Sequence, residues 1–112
     1  MSEYEYNELP KNTTVSFANS GDNIIIAAPT NGRIVIDLLS LVPASAVGLK
    51  LIAGTRDQSG VYPLTANQGF TLDNPSGSRW GCVRCLPGEA FKINIDSAVN
   101  VRGLCDYRVV AE

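Results

Sequence analysis

Three cysteines are the residues whose type and spacing could most directly do chemistry. Cys82-Val83-Arg84-Cys85 has the spacing of half a zinc knuckle or of a redox pair, and Cys105 adds a third sulfur. Zinc wants four ligands, and the chain has no histidine to complete the set. A thioredoxin-type pair needs a strand running into a helix, and Leu86-Pro87-Gly88 does not start one. Two readings remain. In the first, all three are buried or half-buried thiols, with Cys105 in register with Val101, Tyr107 and Val109 on a core-facing side. In the second, a disulfide joins Cys82 or Cys85 to Cys105 or to another subunit. If residues 82–85 are extended, successive side chains alternate, and the two sulfurs point to opposite faces.

The missing histidine also removes the commonest general acid/base and the Ser-His and Cys-His nucleophile pairs. Paired carboxylates could still act as acid and base, as in glycosidases. The candidates are Asp37, Asp57, Asp73, Glu89, Asp96 and Asp106, most of them in loops or on polar strand faces, where a solvated carboxylate is the plain reading. Gly81, Gly88 and Gly103 are too dispersed for a phosphate cradle, and no Gly-Lys-Ser/Thr occurs. The expectation is a chain without catalytic activity, cofactor or metal. Trp80, the single tryptophan, follows Ser76-Gly77-Ser78-Arg79. It reads first as a core plug where a loop enters a sheet. The alternative is an exposed anchor in a protein or sugar contact, where Trp and Arg are favoured.

Composition narrows the class. With 112 residues and 45% hydrophobic content, one core is affordable without metals or disulfides. Nine basic and eleven acidic residues give a formal charge of −2, and the arginines look scattered along the chain. That argues against nucleic acid or an anionic membrane as partner, since both need clustered positive charge. No apolar stretch reaches the roughly 18–20 residues of a membrane span. The start, Met1 to Glu8, is acidic and lacks the basic and apolar regions of a signal peptide, so synthesis in a cytosol is expected.

The elements that must position these residues read as short strands. Phe91-Lys92-Ile93-Asn94-Ile95 alternates apolar and polar, which places Phe91, Ile93 and Ile95 on one face. A second extended run, Val99 to Val110, follows, and the two read as an antiparallel pair. Thr13–Phe17 is a first strand. Asn23–Ala28 is a second, apolar enough to be buried on both sides. Arg33–Val42 is a long strand with Ile34, Ile36 and Leu38 on one face, and Ala46–Ala53 follows the break at Pro43. Val61–Leu64 is an edge by its Pro63. Phe70–Leu72 and Trp80–Arg84 complete the set, with polar loops at 54–60 and 73–78. Eight or nine short strands at steady spacing predict an all-β antiparallel sandwich, of jelly-roll or other Greek-key type. Residues 1–12 read as an acidic arm carrying Tyr4 and Tyr6, and residues 13–112 as one sandwich domain. The arm reads as a loose terminus or as a segment that lies on a neighbouring molecule and docks both tyrosines.

Three stretches carry a resemblance: Gly32-Arg33-Ile34-Val35-Ile36-Asp37, then Val61-Tyr62-Pro63-Leu64-Thr65-Ala66-Asn67-Gln68-Gly69-Phe70, then Pro87-Gly88-Glu89-Ala90-Phe91-Lys92-Ile93. The closing run to Val109, with Tyr107, fits with them. Over residues 13–110 the chain resembles the small head decoration, or cement, proteins of phages. The resemblance implies a β-sandwich that oligomerises, often as a homotrimer, on the outer face of an icosahedral capsid. It implies the major capsid protein as partner, a place in the virion, and no catalysis. The capsid or subunit contacts are then expected at the N-terminal residues Tyr4 and Tyr6 and along the loop with Asp73, Asn74, Arg79 and Trp80. A disulfide from Cys82 or Cys85 would act as a staple between subunits once the particle leaves a reducing cytosol. A second reading is a carbohydrate- or receptor-binding module of a tail or fibre, using Trp80, Tyr62 and loop carboxylates. Its weakness is an aromatic content of only 7%, which leaves few rings to stack on sugars.

Overall fold

β-Branched and aromatic residues in short runs, stopped by Gly, Pro, Asn and Asp, give strands and little else. The computed structural model describes residues 9–76 and 79–111. In chain order its strands are β1 (Lys11–Phe17), β2 (Gly21–Ile26), β3 (Arg33–Pro43), β4 (Val47–Ala53), β5 (Arg56–Asp57), β6 (Tyr62–Leu64), β7 (Phe70–Asp73), β8 (Val83–Arg84), β9 (Phe91–Ile95) and β10 (Val101–Val110). They form two antiparallel sheets packed as a sandwich. The first has the order β1-β10-β3-β7 with β8 also on β3, and the second has the order β2-β9-β4-β5 with β6 also on β4.

The pairing is nested. β1 pairs with β10, β2 with β9, β3 with β7, and β4 with β6. The chain therefore behaves as one long hairpin of paired strands, rolled until β10 meets β3 and β9 meets β4. That is the jelly-roll arrangement. The ten strands exceed the eight or nine expected because β5 and β8, two residues each, lie in segments that read as loop.

One face of each sheet supplies the core. Phe91, Ile93 and Ile95 of β9 and Leu49 and Leu51 of β4 face Ile34, Ile36, Leu39 and Leu41 of β3 and Val101 and Cys105 of β10. All of these are within 2% of full burial. At roughly 1.5–3 kcal/mol per buried large apolar side chain, this face is what holds the two sheets together.

Four expectations are corrected by this topology. β9 and β10 do not pair with each other, since they belong to different sheets. Alternation reports which face is buried, and it is silent about which strand lies alongside. β2 is an edge strand rather than a doubly buried one, with Ile24 66% exposed. β1 begins at Lys11, earlier than Thr13, so the strand reaches into the segment read as arm. Leu38 leaves the core face. Ile36 lies opposite Tyr107 and Leu38 opposite Asp106, so Asp37 is an extra residue, a β-bulge. A bulge shifts the alternation by one, and Leu39 and Leu41 take the core positions.

Candidate functional site

The same bulge builds the surface with the most distinctive chemistry. Arg33 and Val35 alternate with the core-facing Ile34 and Ile36, so they point away from the core. Arg108 of β10 and Arg84 of β8 both lie directly opposite Val35, which puts them on that same outer face. Val35 is nevertheless fully buried, because the segment after Arg79 lies over it. Gly81 is the point of closest approach. Its φ is +66°, and a Cβ there would run into the Ile36 carbonyl oxygen and the Val35 side chain. Only glycine combines that left-handed conformation with that contact. The Cys82 amide then donates to the Ile36 carbonyl at 2.8 Å and the Cys85 amide to the Ile34 carbonyl at 2.9 Å. The loop is thereby fastened to the edge of β3.

Asp37 fastens it a second time. Its carboxylate accepts from Arg108 Nε at 2.7 Å and from Arg108 Nη2 at 3.0 Å. The same Nη2 donates to the Arg79 carbonyl at 2.9 Å, and Asn74 Nδ2 donates to Asp37 Oδ1 at 3.1 Å. Both members of the ion pair are largely shielded, with side chains 14% and 25% exposed. A bidentate Arg–carboxylate pair is directional, so it sets the loop's position as well as its energy.

Held this way, Trp80 stands out from the surface at 45% exposure. Three guanidinium groups surround its ring. Arg84 lies 4.5 Å from the ring centroid, Arg79 5.6 Å and Arg33 5.8 Å. All are within cation–π range, each contact contributing on the order of 0.5–1 kcal/mol at an exposed site. Trp80 is therefore no core plug, and the arginines that look scattered in the sequence converge in space. An indole ringed by guanidiniums suits a partner that offers carboxylates together with apolar or aromatic surface.

The residues expected to make contacts are gathered only in part. Asn74, Arg79 and Trp80 belong to this site. Asp73 ends β7 opposite Leu38 and is exposed. Tyr4 and Tyr6 lie outside the described residues. Arg33, Asp37, Arg84 and Arg108 were not read as members, and the arginines' spacing in sequence carries no sign of it. Trp80–Arg84 was expected to be one strand. Only Val83–Arg84 is, because Gly81 turns the chain first.

The three cysteines are free thiols in this structure, so the expected disulfide is not formed within the chain. Cys85 and Cys105 are completely buried. Burial, with Glu89 nearby, pushes the Cys85 thiol up to about 12. Burial, with Asp106 nearby, does the same to Cys105. Cys82 is half-buried, and its Sγ donates to the Ile36 carbonyl at 3.2 Å. Burial raises its pKa too. Among the described residues no group of three His, Cys, Asp or Glu side chains is placed to hold a metal ion.

The carboxylates read as solvated have partners. Besides Asp37, Asp57 pairs with Lys50 at 3.3 Å and Glu89 with Arg56 at 2.7 Å. Asp96 accepts from the Gly48 amide at 2.8 Å, and Asp106 accepts from Asn12. The sugar-binding reading needs Tyr62 beside Trp80, yet Tyr62 packs on Phe70 with ring centroids 4.8 Å apart, against the core.

No family model, no curated protein and no solved structure matches this chain. The kinship with phage decoration proteins therefore stands on the sequence motifs alone.

Proposed function

We propose that this chain is a non-enzymatic virion structural protein. It binds the outer surface of a phage capsid as an oligomer, against the major capsid protein, and stabilises the shell. The observation that carries this reading is the braced, exposed Trp80 with its three arginines on an otherwise rigid jelly roll. Adhesion needs a surface whose geometry is fixed before contact, because ordering a loop on binding costs affinity. Asp37, Arg108 and Gly81 supply that order in advance. Copies joined in an oligomer then add weak contacts through effective concentration, which suits a repetitive shell. Neither a cofactor nor nucleic acid nor a membrane enters this mechanism.

The test is density fractionation of the native source, with each fraction blotted for this chain with and without reductant. Co-sedimentation with assembled capsids at high copy number is expected. Chain found only in soluble or tail-associated fractions would sink the shell reading. A reductant-sensitive dimer band would identify Cys82 as a link between subunits, since Cys85 and Cys105 are sealed inside. The exposure of Trp80 favours one rival, a carbohydrate- or receptor-binding module of a tail or fibre. Saturable glycan binding lost in Trp80→Ala would establish it.

A further inference from the structure

The segments expected to make contacts complement each other. Residues 3–8 carry Glu3, Glu5 and Glu8 with Tyr4 and Tyr6, and no lysine or arginine. The Trp80 surface presents Arg33, Arg79 and Arg84 around an exposed indole. We propose that the occupant of this surface is the N-terminal segment of the chain itself, its glutamates on the arginines and a tyrosine against Trp80.

Three observations support the match. Charge is the first: three carboxylates, spaced along the segment, meet three guanidiniums that each offer a planar fork of donors. Chemistry is the second, since an aromatic residue between acids matches an indole between cations. Position is the third. Lys11 lies opposite Tyr107, Tyr107 opposite Ile36, and Ile36 opposite Val83, so one row crosses β1, β10, β3 and β8. Three steps between strands span about 15 Å. The eight residues from Glu3 to Pro10 reach up to roughly 27 Å when extended. The chain thus enters β1 at the same end of the sheet as Arg84, Arg108 and Trp80, within reach of them. A neighbouring copy in an oligomer could present the same segment.

Because Trp80 is the single tryptophan, its fluorescence reports on this surface directly. The measurement is acrylamide quenching of the full-length purified protein at low salt, compared with the variant carrying Glu3→Gln, Glu5→Gln and Glu8→Gln. If the segment covers much of the exposed ring, the variant's quenching constant rises about twofold with a red-shifted emission, as water regains a contact it had lost. Wild type in 1 M NaCl, where the screening length is about 3 Å, should move toward the variant. A synthetic peptide of residues 1–10 added to the variant should restore protection, and its Gln counterpart should not. Equal quenching of wild type and variant at low salt would overturn the proposal. So would protection by a random-sequence oligonucleotide with none by the peptide. Protection that survives dilution places the segment on its own sandwich, and protection lost on dilution places it on a neighbour; both uphold the pairing. No capsid takes part, so the result is separate from that of co-sedimentation.

Discussion

The outer faces of the two sheets solve the same problem in opposite ways. On the sheet with β9 and β4, charges are spread and matched locally. Lys50 pairs with Asp57, and Asn94 donates to Asp22, both across neighbouring strands. On the sheet with β3 and β10, arginines gather around one indole, and the loop bearing it is tied down by a shielded Asp37–Arg108 pair. Scattered pairs on an exposed sheet keep a face soluble and contribute little else. Like charges brought together repel, so such a cluster is a poor way to stabilise a fold and a good way to recognise an anionic partner. The contrast separates a face that only has to be wet from one that has to hold something.

Breaking the brace should have the largest effect. Gly81→Ala forces a side chain into a left-handed conformation and against the Ile36 carbonyl, and we expect a loss of about 3 kcal/mol in unfolding free energy. Urea titration measures it. Asp37→Ala comes next. It leaves the Arg108 guanidinium facing a largely shielded site without its carboxylate, at about 2 kcal/mol. Both changes should also increase quenching of Trp80. A stable Asp37→Ala protein with unchanged Trp80 fluorescence would mean that the brace does not position the loop.

Thiol chemistry sharpens the comparison next. Cys82 sits in the segment that crosses β3, whereas Cys85 and Cys105 lie in the core. With pKa values of about 12, the latter two hold almost no thiolate at pH 8. Native protein should therefore label at Cys82 first and slowly, and Gly81→Ala should accelerate that site alone. Labelling of Cys105 in the folded protein at a comparable rate would contradict the packing described.

A smaller effect belongs to the sandwich edge, where Arg56 of β5 clasps Glu89. Hydrogen bonds from Arg56 hold the Glu89 carboxyl below its ordinary value of 4.5. A lowered folded-state pKa means that the clasp contributes fully above about pH 4.5 and fades as pH falls through the lowered value. Glu89→Gln should flatten the acid limb of the stability curve below pH 4.5 and leave its neutral plateau level. An identical acid limb in both proteins would show that the clasp does not open with acid.

How much of this was legible in the sequence depends on the range of the interaction. Alternation is a property of neighbouring residues, so the burial of Phe91, Ile93 and Ile95 and the edge position of Pro63 could be read directly. Cys105 fell on the core side for the same reason. Partner choice was hidden, because a strand's pattern is the same whichever sheet it joins; hence β9 and β10 looked like a pair. The bulge at Asp37 was hidden as well, since it exists only relative to β10, and with it went the face of Leu38. The site suffered most. Trp80 and Arg79 stood out by type, but Arg33, Arg84 and Arg108 meet them through the register of three strands. Asp37 reaches Arg108 across 71 residues of chain.

The smallest predicted effect tests the wet face itself. Lys50→Ala removes an ion pair whose acid, Asp57, has a side chain 61% exposed. Water already solvates both ends, so the loss should stay within about 0.5 kcal/mol, screened further by salt. Trp80 quenching should not change, because Lys50 lies on the opposite sheet. If Lys50→Ala instead cost as much as Asp37→Ala, ion pairs would matter equally on both faces. The distinction between a solvated face and a braced one would then fail, and with it the argument that the Asp37–Arg108 pair exists to hold a loop in place.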